Sequence, residues 1–200
     1  MSREANPEND PYVYPGTSVL RNIPDIRDAQ LLSQFESDHF FARILELGES
    51  PIHGSFDSAH LSRIHEYLFQ DVYAWAGRFR TVAIAKGDSF FARPEHVAGG
   101  LENLCQKLAN ENALQKMEAA KFCQRAAHYF GELNALHPFR EGNGRAQREF
   151  MRELAAHTGY ELSWDMVTAD EMLAASLSSF HRGSDEAFAA ILERIIRTAE

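Results

Sequence analysis

The sequence predicts an all-α domain of about seven helices with one short β-hairpin, and three observations lead to this prediction. Apolar residues recur at the spacing of an amphipathic helix through most of the 200 residues. One short stretch instead carries β-branched residues beside a glycine turn, as β-hairpins do. The chain shows neither an internal repeat nor a low-complexity segment, so neither a solenoid nor two units joined by a linker is indicated.

The chain begins with a segment that differs from the rest. Residues 1–25 hold four prolines among polar residues and tyrosines, which predicts an extended arm lying on the domain. The single domain is predicted to comprise residues 26–200. Its first helix is expected from Ile26 to Leu47, because apolar residues recur there at helical spacing and Gly48 follows as a stop.

The second helix and the hairpin come next. Asp57 can cap a helix whose apolar stripe continues to Trp75, with Gly77 ending it. The hairpin is predicted within residues 78–93, with its turn at Lys86-Gly87-Asp88.

Five further helices complete the prediction, each from its own start or stop signal. Proline suits a first helical turn, and a threonine followed three residues later by glutamate is a capping box. The expected bounds are Pro94 to about Ala109, about Gln115 to Leu136, a helix after the loop 137–142 that ends at His157 before Gly159, a helix capped by Thr168 with Glu171, and a last helix capped by Ser184.

Composition excludes several classes of function. The net charge of −9 and the pI near 5.5 argue against direct binding of nucleic acid, because the overall field repels phosphate backbones. No apolar run approaches the ~20 residues that span a bilayer, and the first residues do not resemble a signal peptide, so we expect a cytoplasmic protein without a membrane segment. Cys105 and Cys123 lie in helical patterns without metal-ligand spacing and are predicted to be buried, reduced thiols.

The residues that carry chemistry lie between two predicted helices, in HPFREGNGRAQR at 137–148. Pro138 disfavours helical geometry at His137, so the helix should stop there with the imidazole at the start of a loop. Gly142 and Gly144 permit close approach to the first amides of the next helix, whose dipole also favours an anion. Such a glycine loop at a helix N-terminus predicts a phosphate site.

Charged residues around this site extend the prediction to a nucleoside triphosphate. Arg145 and Arg148 are three residues apart, so they share a helix face and can hold further phosphates. Glu141 beside phosphate-binding groups implies Mg²⁺, which commonly bridges a carboxylate and substrate phosphates. A neutral His137 can take the proton from an incoming hydroxyl. The predicted reaction is nucleotidyl or phosphoryl transfer.

Residues 137–148 match the signature of the Fic family at every defined position, and the chain therefore resembles that family. It is similar to small bacterial Fic toxins over nearly its whole length. The similar segments are DPYVYPG at 10–16, IHEYLFQDVYAWAGRFR at 64–80, VAIAKGDSFFAR at 82–93 and AHYFGELNALHPF at 127–139. The resemblance implies a helical Fic fold with the hairpin as a flap, and transfer of AMP from ATP to a hydroxyl side chain of a target protein.

The resemblance also implies roles for individual residues. His137 would be the general base and Glu141 the Mg²⁺ ligand, while Phe139 would anchor the loop in the core. The implied nucleotide-binding residues are Asn134, Arg140, Gly142, Asn143, Gly144, Arg145 and Arg148, together with Lys86 and Gly87 at the flap tip. The implied target-binding flap residues are Ile84, Ala85, Phe90 and Phe91, which would take the target by strand addition.

Two departures refine the expected function. The related Doc kinases carry lysine where this chain has Gly144, so nucleotide transfer is preferred over transfer of the γ-phosphate. The serine- or threonine-containing inhibitory motif of many family members is not found, which implies a separate small antitoxin that blocks Arg148. Similar short toxins modify a tyrosine on the ATPase subunits of DNA gyrase and topoisomerase IV, so these subunits are the candidate targets.

Several alternatives stay open at this level. The chain could transfer UMP, GMP, phosphocholine or a phosphoryl group, or bind a nucleotide or partner without turnover. Residues 176–180 are a hypothesis for the base pocket. Phe90 and Phe91 are interpreted as either hairpin core or a clamp for the target, whereas the histidines other than His137 are interpreted as structural, without a zinc site.

Overall fold

The computed structural model describes residues 10–199, and these residues confirm the predicted all-α fold of seven helices with a β-hairpin. The helices are α1 (Ala29–Glu49), α2 (Ser58–Phe69), α3 (Pro94–Asn110), α4 (Ala119–Leu136), α5 (Asn143–His157), α6 (Ala169–Arg182) and α7 (Glu186–Ile195). Two antiparallel pairs of short strands accompany them: β1 (Ala85–Lys86) with β2 (Ser89–Phe90), and β3 (Tyr160–Leu162) with β4 (Ile196–Thr198).

Helix α4 lies at the centre of the domain and packs against α3, α5, α6 and α7. Its buried residues follow helical spacing, so the helix is covered on most sides and its C-terminal end is held in place. Its largest fully buried side chains are Phe122, Tyr129 and Phe130. This end of α4 leads directly into the loop 137–142.

Three helix starts agree with the sequence signals. The Asp57 carboxylate accepts the amide of His60 at 2.7 Å and caps α2. Pro94 opens α3 in its first turn. Thr168 and Glu171 form the predicted capping box at the start of α6. The side chains of Asp57 and Thr168 accept amides of the first turn that have no partner within the helix. Pro94 has no N–H, so it leaves no such amide at its position.

The predicted end of the second helix is wrong. Helix α2 ends at Phe69, and residues 70–77 form turns in which the amides of Val72 and Tyr73 both donate to the Phe69 carbonyl. Val72 and Tyr73 are nevertheless buried, because the turns fold back against the core. The apolar stripe therefore continued past the helix, and Gly77, with φ of 79°, ends the turns.

Other boundaries shift for local reasons. Helix α1 starts after Asp28, whose carboxylate accepts two amides, and it runs through Gly48 to Glu49. Helix α4 starts at Ala119 because Asn112–Leu114 form a 3-10 turn in which Ala113 has a positive φ. Helix α7 is preceded by Asp185 rather than Ser184. The pair β3–β4 was not predicted, since three-residue strands are too short to show alternation.

Residues 10–25 lie against the helices, with Tyr12, Val13, Tyr14 and Val19 buried. An isolated bridge joins Val13 to Leu20. Residues 1–9 of the predicted arm lie outside the described residues. No helix within 10–199 is long and apolar enough to cross a bilayer.

Both cysteines are buried free thiols, as predicted. Burial raises the pKa of Cys105 to about 12 and that of Cys123 to about 11.

Candidate active site

His137 lies where α4 ends and the motif loop begins. Its backbone is left-handed, with φ of 46° and ψ of 62°, and its amide still donates to the Leu133 carbonyl at 3.0 Å. Right-handed helical geometry is disfavoured before Pro138, so the helix stops here as the sequence predicts. The imidazole is 6% exposed and lines a cavity of about 180 Å³.

The contacts of the His137 ring define which nitrogen can act. Nδ1 is 3.1 Å from the carbonyl of Asn134, so Nδ1 carries the proton and donates it. Among the described residues, no protein group binds Nε2. Phe91 stacks on the ring at 3.8 Å between centroids. Burial lowers the pKa of His137 to about 4, and the charge of Lys86 acts in the same direction, so the ring is neutral at pH 7 with Nε2 free to accept a proton.

A buried arginine, Arg80, holds this region together. Its side chain is 2% exposed, and its Nε donates to the His137 carbonyl at 2.8 Å. The other nitrogens donate to the carbonyls of Val82 and Ala92, at the two ends of the flap, and to that of Leu136. No carboxylate within residues 10–199 pairs with it, but the carbonyl end of α4 supplies a favourable negative potential. Arg80 therefore ties the flap to the residue that carries the imidazole.

The loop is also anchored from below by Phe139 and His65. Phe139 is buried and stacks on His65 at 3.8 Å. The His65 ring donates through Nε2 to the Glu141 carbonyl and accepts the Gly77 amide at Nδ1, both at 2.9 Å. Burial lowers the pKa of His65 to about 4, which keeps it neutral in this position.

The two motif glycines are required for different reasons. Gly142 has φ of 78° and precedes α5, and a Cβ there would lie 2.4 Å from the Phe69 ring. The fold itself therefore requires glycine at 142. Gly144 lies in the first turn of α5, where a Cβ would meet only the Arg148 side chain at 3.6 Å. The space beside Gly144 opens into the His137 cavity, so a ligand rather than the fold would need it empty.

The side chain of Asn143 binds the backbone of the loop 137–142. Its Oδ1 accepts the Phe139 amide at 2.8 Å and its Nδ2 donates to the Phe139 carbonyl at 2.7 Å. This leaves only the backbone amide of Asn143 for an anion. No side chain caps α5, because the preceding residue is glycine, so its first amides and its dipole could receive an anion, which stays a prediction.

Glu141 is the motif residue that could hold a Mg²⁺ ion. Burial alone would raise the pKa of its carboxyl, but the Gly142 amide at 2.9 Å and the charges of Lys86 and Arg145 lower the pKa below its usual value. No cluster of three or more acidic, histidine or cysteine side chains within residues 10–199 could hold a metal ion. A single ionised carboxylate suits Mg²⁺ when substrate phosphates supply further ligands.

The two motif arginines line a groove of about 630 Å³ beside α5. Arg145 donates to Glu36 of α1 at 2.7 Å and lies over the Phe69 ring at 4.6 Å. No carboxylate in the described chain pairs with Arg148. Burial lowers the pKa of Arg148, and the neighbouring Arg145 adds to this effect. Arg148 is therefore a desolvated guanidinium without an anionic partner among residues 10–199.

The residues of the flap differ in their exposure and in their contacts. Lys86 and Gly87 lie at the tip, with a left-handed Gly87, and Ser89 contacts His181 of α6 at 3.1 Å. Phe90 is 57% exposed, so it is not part of a hairpin core, and its contact with a target stays a prediction. Phe91 stacks on the His137 ring. The cavity is lined by Lys86, Ser89, Phe91, Asn134, His137, Gly144, Leu173, Ser176, Leu177 and Phe180.

Comparison with known proteins places this site in a family. A model of the Fic/DOC family matches residues 55–155, which is half of the chain and includes the motif. The chain belongs to the Fic/DOC family.

Relatives of this Fic domain extend over most of its length. It is 45% identical over 183 residues to the protein adenylyltransferase VbhT of Bartonella schoenbuchensis, covering 92% of this chain but only 38% of VbhT. It is 42% identical to the "probable protein adenylyltransferase Fic" of Escherichia coli, covering 84% of this chain and 82% of that protein. The Salmonella typhimurium protein of the same name is 39% identical over 201 residues, covering 100% of this chain and 98% of that protein.

Solved Fic domains share the fold. The BepC protein of Bartonella tribocorum with bound AMPPNP matches with a TM-score of 0.87 at 27% identity, covering 94% of this chain and 97% of that one. A Fic domain of a Bartonella quintana effector with bound ADP matches with a TM-score of 0.88 at 28% identity, covering 94% and 95%.

The Fic domain brings some of the predicted residues to the His137 cavity, whereas Arg145 and Arg148 line the separate groove beside α5. The His137 cavity is also lined by Asn134, Gly144 and Lys86. Of residues 176–180, the hypothesis for the base pocket, Ser176, Leu177 and Phe180 line it. Arg140 differs, because its guanidinium is bonded to Asp10 of the arm. Ile84 is half-buried and Ala85 exposed at the start of the flap.

Sequence reasoning missed three residues that support the site. Arg80 and Asp10 lie in the segments that resemble Fic toxins, and that resemblance was their only signal. Glu36 had no signal at all, because a glutamate on a helix normally faces solvent. Each of the three bonds to the motif, at His137, Arg140 and Arg145 respectively.

Proposed function

We propose that this Fic domain is a protein adenylyltransferase that transfers AMP from ATP to a hydroxyl side chain of a target protein. The observation that carries the proposal is the neutral His137, whose Nε2 is free beside the glycine-rich start of α5. Relatives named protein adenylyltransferases and Fic domains bound to AMPPNP and ADP support it.

In the proposed reaction, His137 Nε2 takes the proton of the target hydroxyl. The hydroxyl oxygen then bonds to the α-phosphorus, and the bond to the leaving pyrophosphate breaks. The α5 amides and Arg148 stabilise the negative charge of the phosphates. Glu141 would hold Mg²⁺, which when bound neutralises phosphate charge. Phe91 and the Asn134 carbonyl keep the imidazole oriented.

The target is proposed to bind along the flap. A protein segment adding to the edge of β1 or β2 would lie next to His137, and the exposed Phe90 offers it an apolar contact. The resemblance to small bacterial toxins supports a tyrosine of the ATPase subunits of DNA gyrase or topoisomerase IV as the acceptor, in the cytoplasm.

Regulation by a separate antitoxin is also proposed. Arg148 lacks a carboxylate partner within residues 10–199, and the groove it lines has apolar walls that include Phe40 and Trp164. A carboxylate of a partner protein could pair with Arg148 there and displace phosphate. This supports a toxin-antitoxin pair.

The test uses the purified domain with Mg²⁺ and either α-labelled or γ-labelled ATP in a bacterial lysate, followed by gel electrophoresis. Label from the α position alone supports AMP transfer, and the labelled band identifies the target. Label from γ alone would indicate a kinase, and label from neither would indicate a silent binding module. The matched control is His137→Ala, which should bind ATP and lose transfer by at least about a hundredfold.

A further inference from the structure

The N-terminal arm reaches the active-site loop through one ion pair. Arg140 lies within the loop that joins α4 to α5, and its Nη2 and Nε donate to Oδ2 of Asp10 at 2.9 and 3.1 Å. The Asp10 side chain is only 7% exposed. Charge-assisted hydrogen bonds of this kind are stronger than neutral ones, so the contact can restrain the loop.

Asp10 is itself fixed by the arm. Its Oδ1 accepts the amide of Tyr12 at 2.9 Å. The Tyr12 ring packs edge-on against Trp75 at 5.4 Å, and its hydroxyl accepts the Thr81 amide at 3.2 Å. The carboxylate is therefore held by a segment that is packed on the body of the domain, and it offers Arg140 a stationary partner.

The geometry directs Arg140 away from the nucleotide. Its Nε and Nη2 are both used by Asp10, and its side chain does not line the cavity that contains His137. The Arg140 charge also lies close enough to the buried Arg80 to lower its pKa, after the larger effect of burial. Asp10 supplies the carboxylate that compensates this accumulation of positive charge.

We propose that Asp10 and Arg140 form a positioning pair for the active-site loop, and that Arg140 acts through Asp10 rather than as a nucleotide ligand. The expected effect of this pair on AMP transfer rests on the proposed function. Left-handed residues, His137 and Gly142, stand on both sides of Arg140, so the loop lacks regular helical hydrogen bonds between them. The arm adds a restraint at Arg140 to those that Asn143 and His65 supply on either side of it.

A double-mutant cycle tests this inference. We expect Asp10→Ala and Arg140→Ala each to lower kcat for AMP transfer about tenfold, with the KM for ATP changed less than about threefold, because a small displacement of the loop impairs the chemical step. The double variant should be no worse than either single variant, since the second change removes a partner already lost. The exchanged pair Asp10→Arg with Arg140→Asp should recover part of kcat.

Other outcomes would overturn the inference. A rise of tenfold or more in the KM for ATP on Arg140→Ala, repeated in the Asp10→Ala background, would make Arg140 a nucleotide ligand. Additive losses in kcat would show that the two residues act independently. Unchanged amide hydrogen exchange in residues 137–142 of Asp10→Ala would show that the ion pair does not restrain the loop. A lost restraint must increase local opening.

A second ion pair gives the matched control. Arg43 also donates two hydrogen bonds to one aspartate, Asp71, from Nε to Oδ2 at 2.7 Å and from Nη2 to Oδ1 at 3.0 Å, away from the motif. Asp71→Ala should lower Tm as Asp10→Ala does but leave kcat unchanged, and an equal loss of kcat would attribute the effect to general destabilisation. If the wild-type domain transfers no label, the proposed function fails, and the exchange measurement still decides whether the pair restrains the loop.

Discussion

At the scale of single residues, burial gives His137 its chemical state. The imidazole has one donor bond, to the Asn134 carbonyl, and a stacked Phe91 that excludes water from one face. Its charged form is disfavoured by lost solvation and by Lys86. A base that is already neutral and singly protonated at Nδ1 needs no rearrangement before it accepts a proton at Nε2.

The pH dependence of AMP transfer should show this state. Because the neutral form is active, kcat/KM should fall only as the pH drops towards about 4, the pKa of His137 in the free protein. Lys86→Met should move this acidic limb to higher pH, since the lysine charge lowers that pKa. The exposed Lys107→Met serves as the control and should leave the limb in place. A limb near pH 6.5 in the wild type would contradict the prediction.

The two motif glycines should respond differently to a methyl group. Gly142→Ala should lower the free energy of unfolding by about 3 kcal/mol, because it combines a positive φ with a clash against Phe69. Gly144→Ala should leave stability within about 1 kcal/mol of the wild type, yet reduce transfer at least tenfold by filling the space in front of the α5 amides. Denaturant titration and labelling measure the two effects separately. Full activity in Gly144→Ala would argue against a phosphate at this position.

Single residues were predictable where their role is local. The sequence placed His137 at a helix end because Pro138 restricts the preceding backbone, and it placed Gly142 before a helix. It could not show that the Arg140 side chain turns to Asp10, because such a contact depends on how distant segments fold together. The same holds for the pairing of Arg145 with Glu36.

At the scale of elements, the flap and α4 behave as one unit. Arg80 bonds to carbonyls on both ends of the flap and at the end of α4, and it does so from a buried position. The flap also contacts α6 through Ser89 and His181. The orientation of the hairpin is therefore coupled to His137, the proposed general base.

Removing the buried guanidinium should test this coupling. Arg80→Met should reduce the free energy of unfolding by about 3 kcal/mol, because several buried carbonyls lose their donors. Arg80→Lys should fold better but transfer AMP several-fold more slowly, since one ammonium cannot reach both flap ends and α4. The exposed Arg78→Met, two residues away, should stay within about 0.5 kcal/mol of the wild type. Equal stability of Arg80→Met and Arg78→Met would contradict the role of Arg80.

Element boundaries were predictable where a cap or a proline defines them. Asp57, Pro94 and Thr168 each mark the start of a helix as expected. The end of α2 was not predictable, because Val72 and Tyr73 continue the apolar spacing although the chain there forms turns. The pair β3–β4 joins residues near 160 to residues near 197, and no local pattern encodes that pairing.

At the scale of the whole molecule, the all-α class and the number of helices followed from apolar periodicity together with the start and stop signals of each helix. The net charge of −9 would repel ATP, so the proposed phosphate site would depend on local positive charge from Lys86, Arg148 and the α5 dipole. The arm was predicted to lie on the domain, but its link to the motif required the structure.

The stability of the molecule should fall in mild acid for a defined reason. Burial lowers the pKa of both His65 and His137 to about 4, so between about pH 6.5 and 4 the unfolded chain binds two protons that the native state excludes. Stability therefore rises with pH across this window, by on the order of 1 kcal/mol per pH unit for each histidine. Denaturant titrations at pH 7, 6 and 5 measure this slope. His65→Gln should remove about half of it, whereas the exposed His96→Gln should not, and equal slopes would contradict the assignment.

The contact between Asp10 and Arg140 has a consequence for the order in which the molecule is made. The two residues are 130 positions apart, so Asp10 leaves the ribosome long before its partner is synthesised. Synthesis proceeds at roughly 5–20 residues per second, which separates them by several seconds. Throughout that interval the loop does not exist and the arm has no charge partner, so the centre is completed only late in translation. The ion pair between the arm and the loop can therefore form only after translation has passed residue 140.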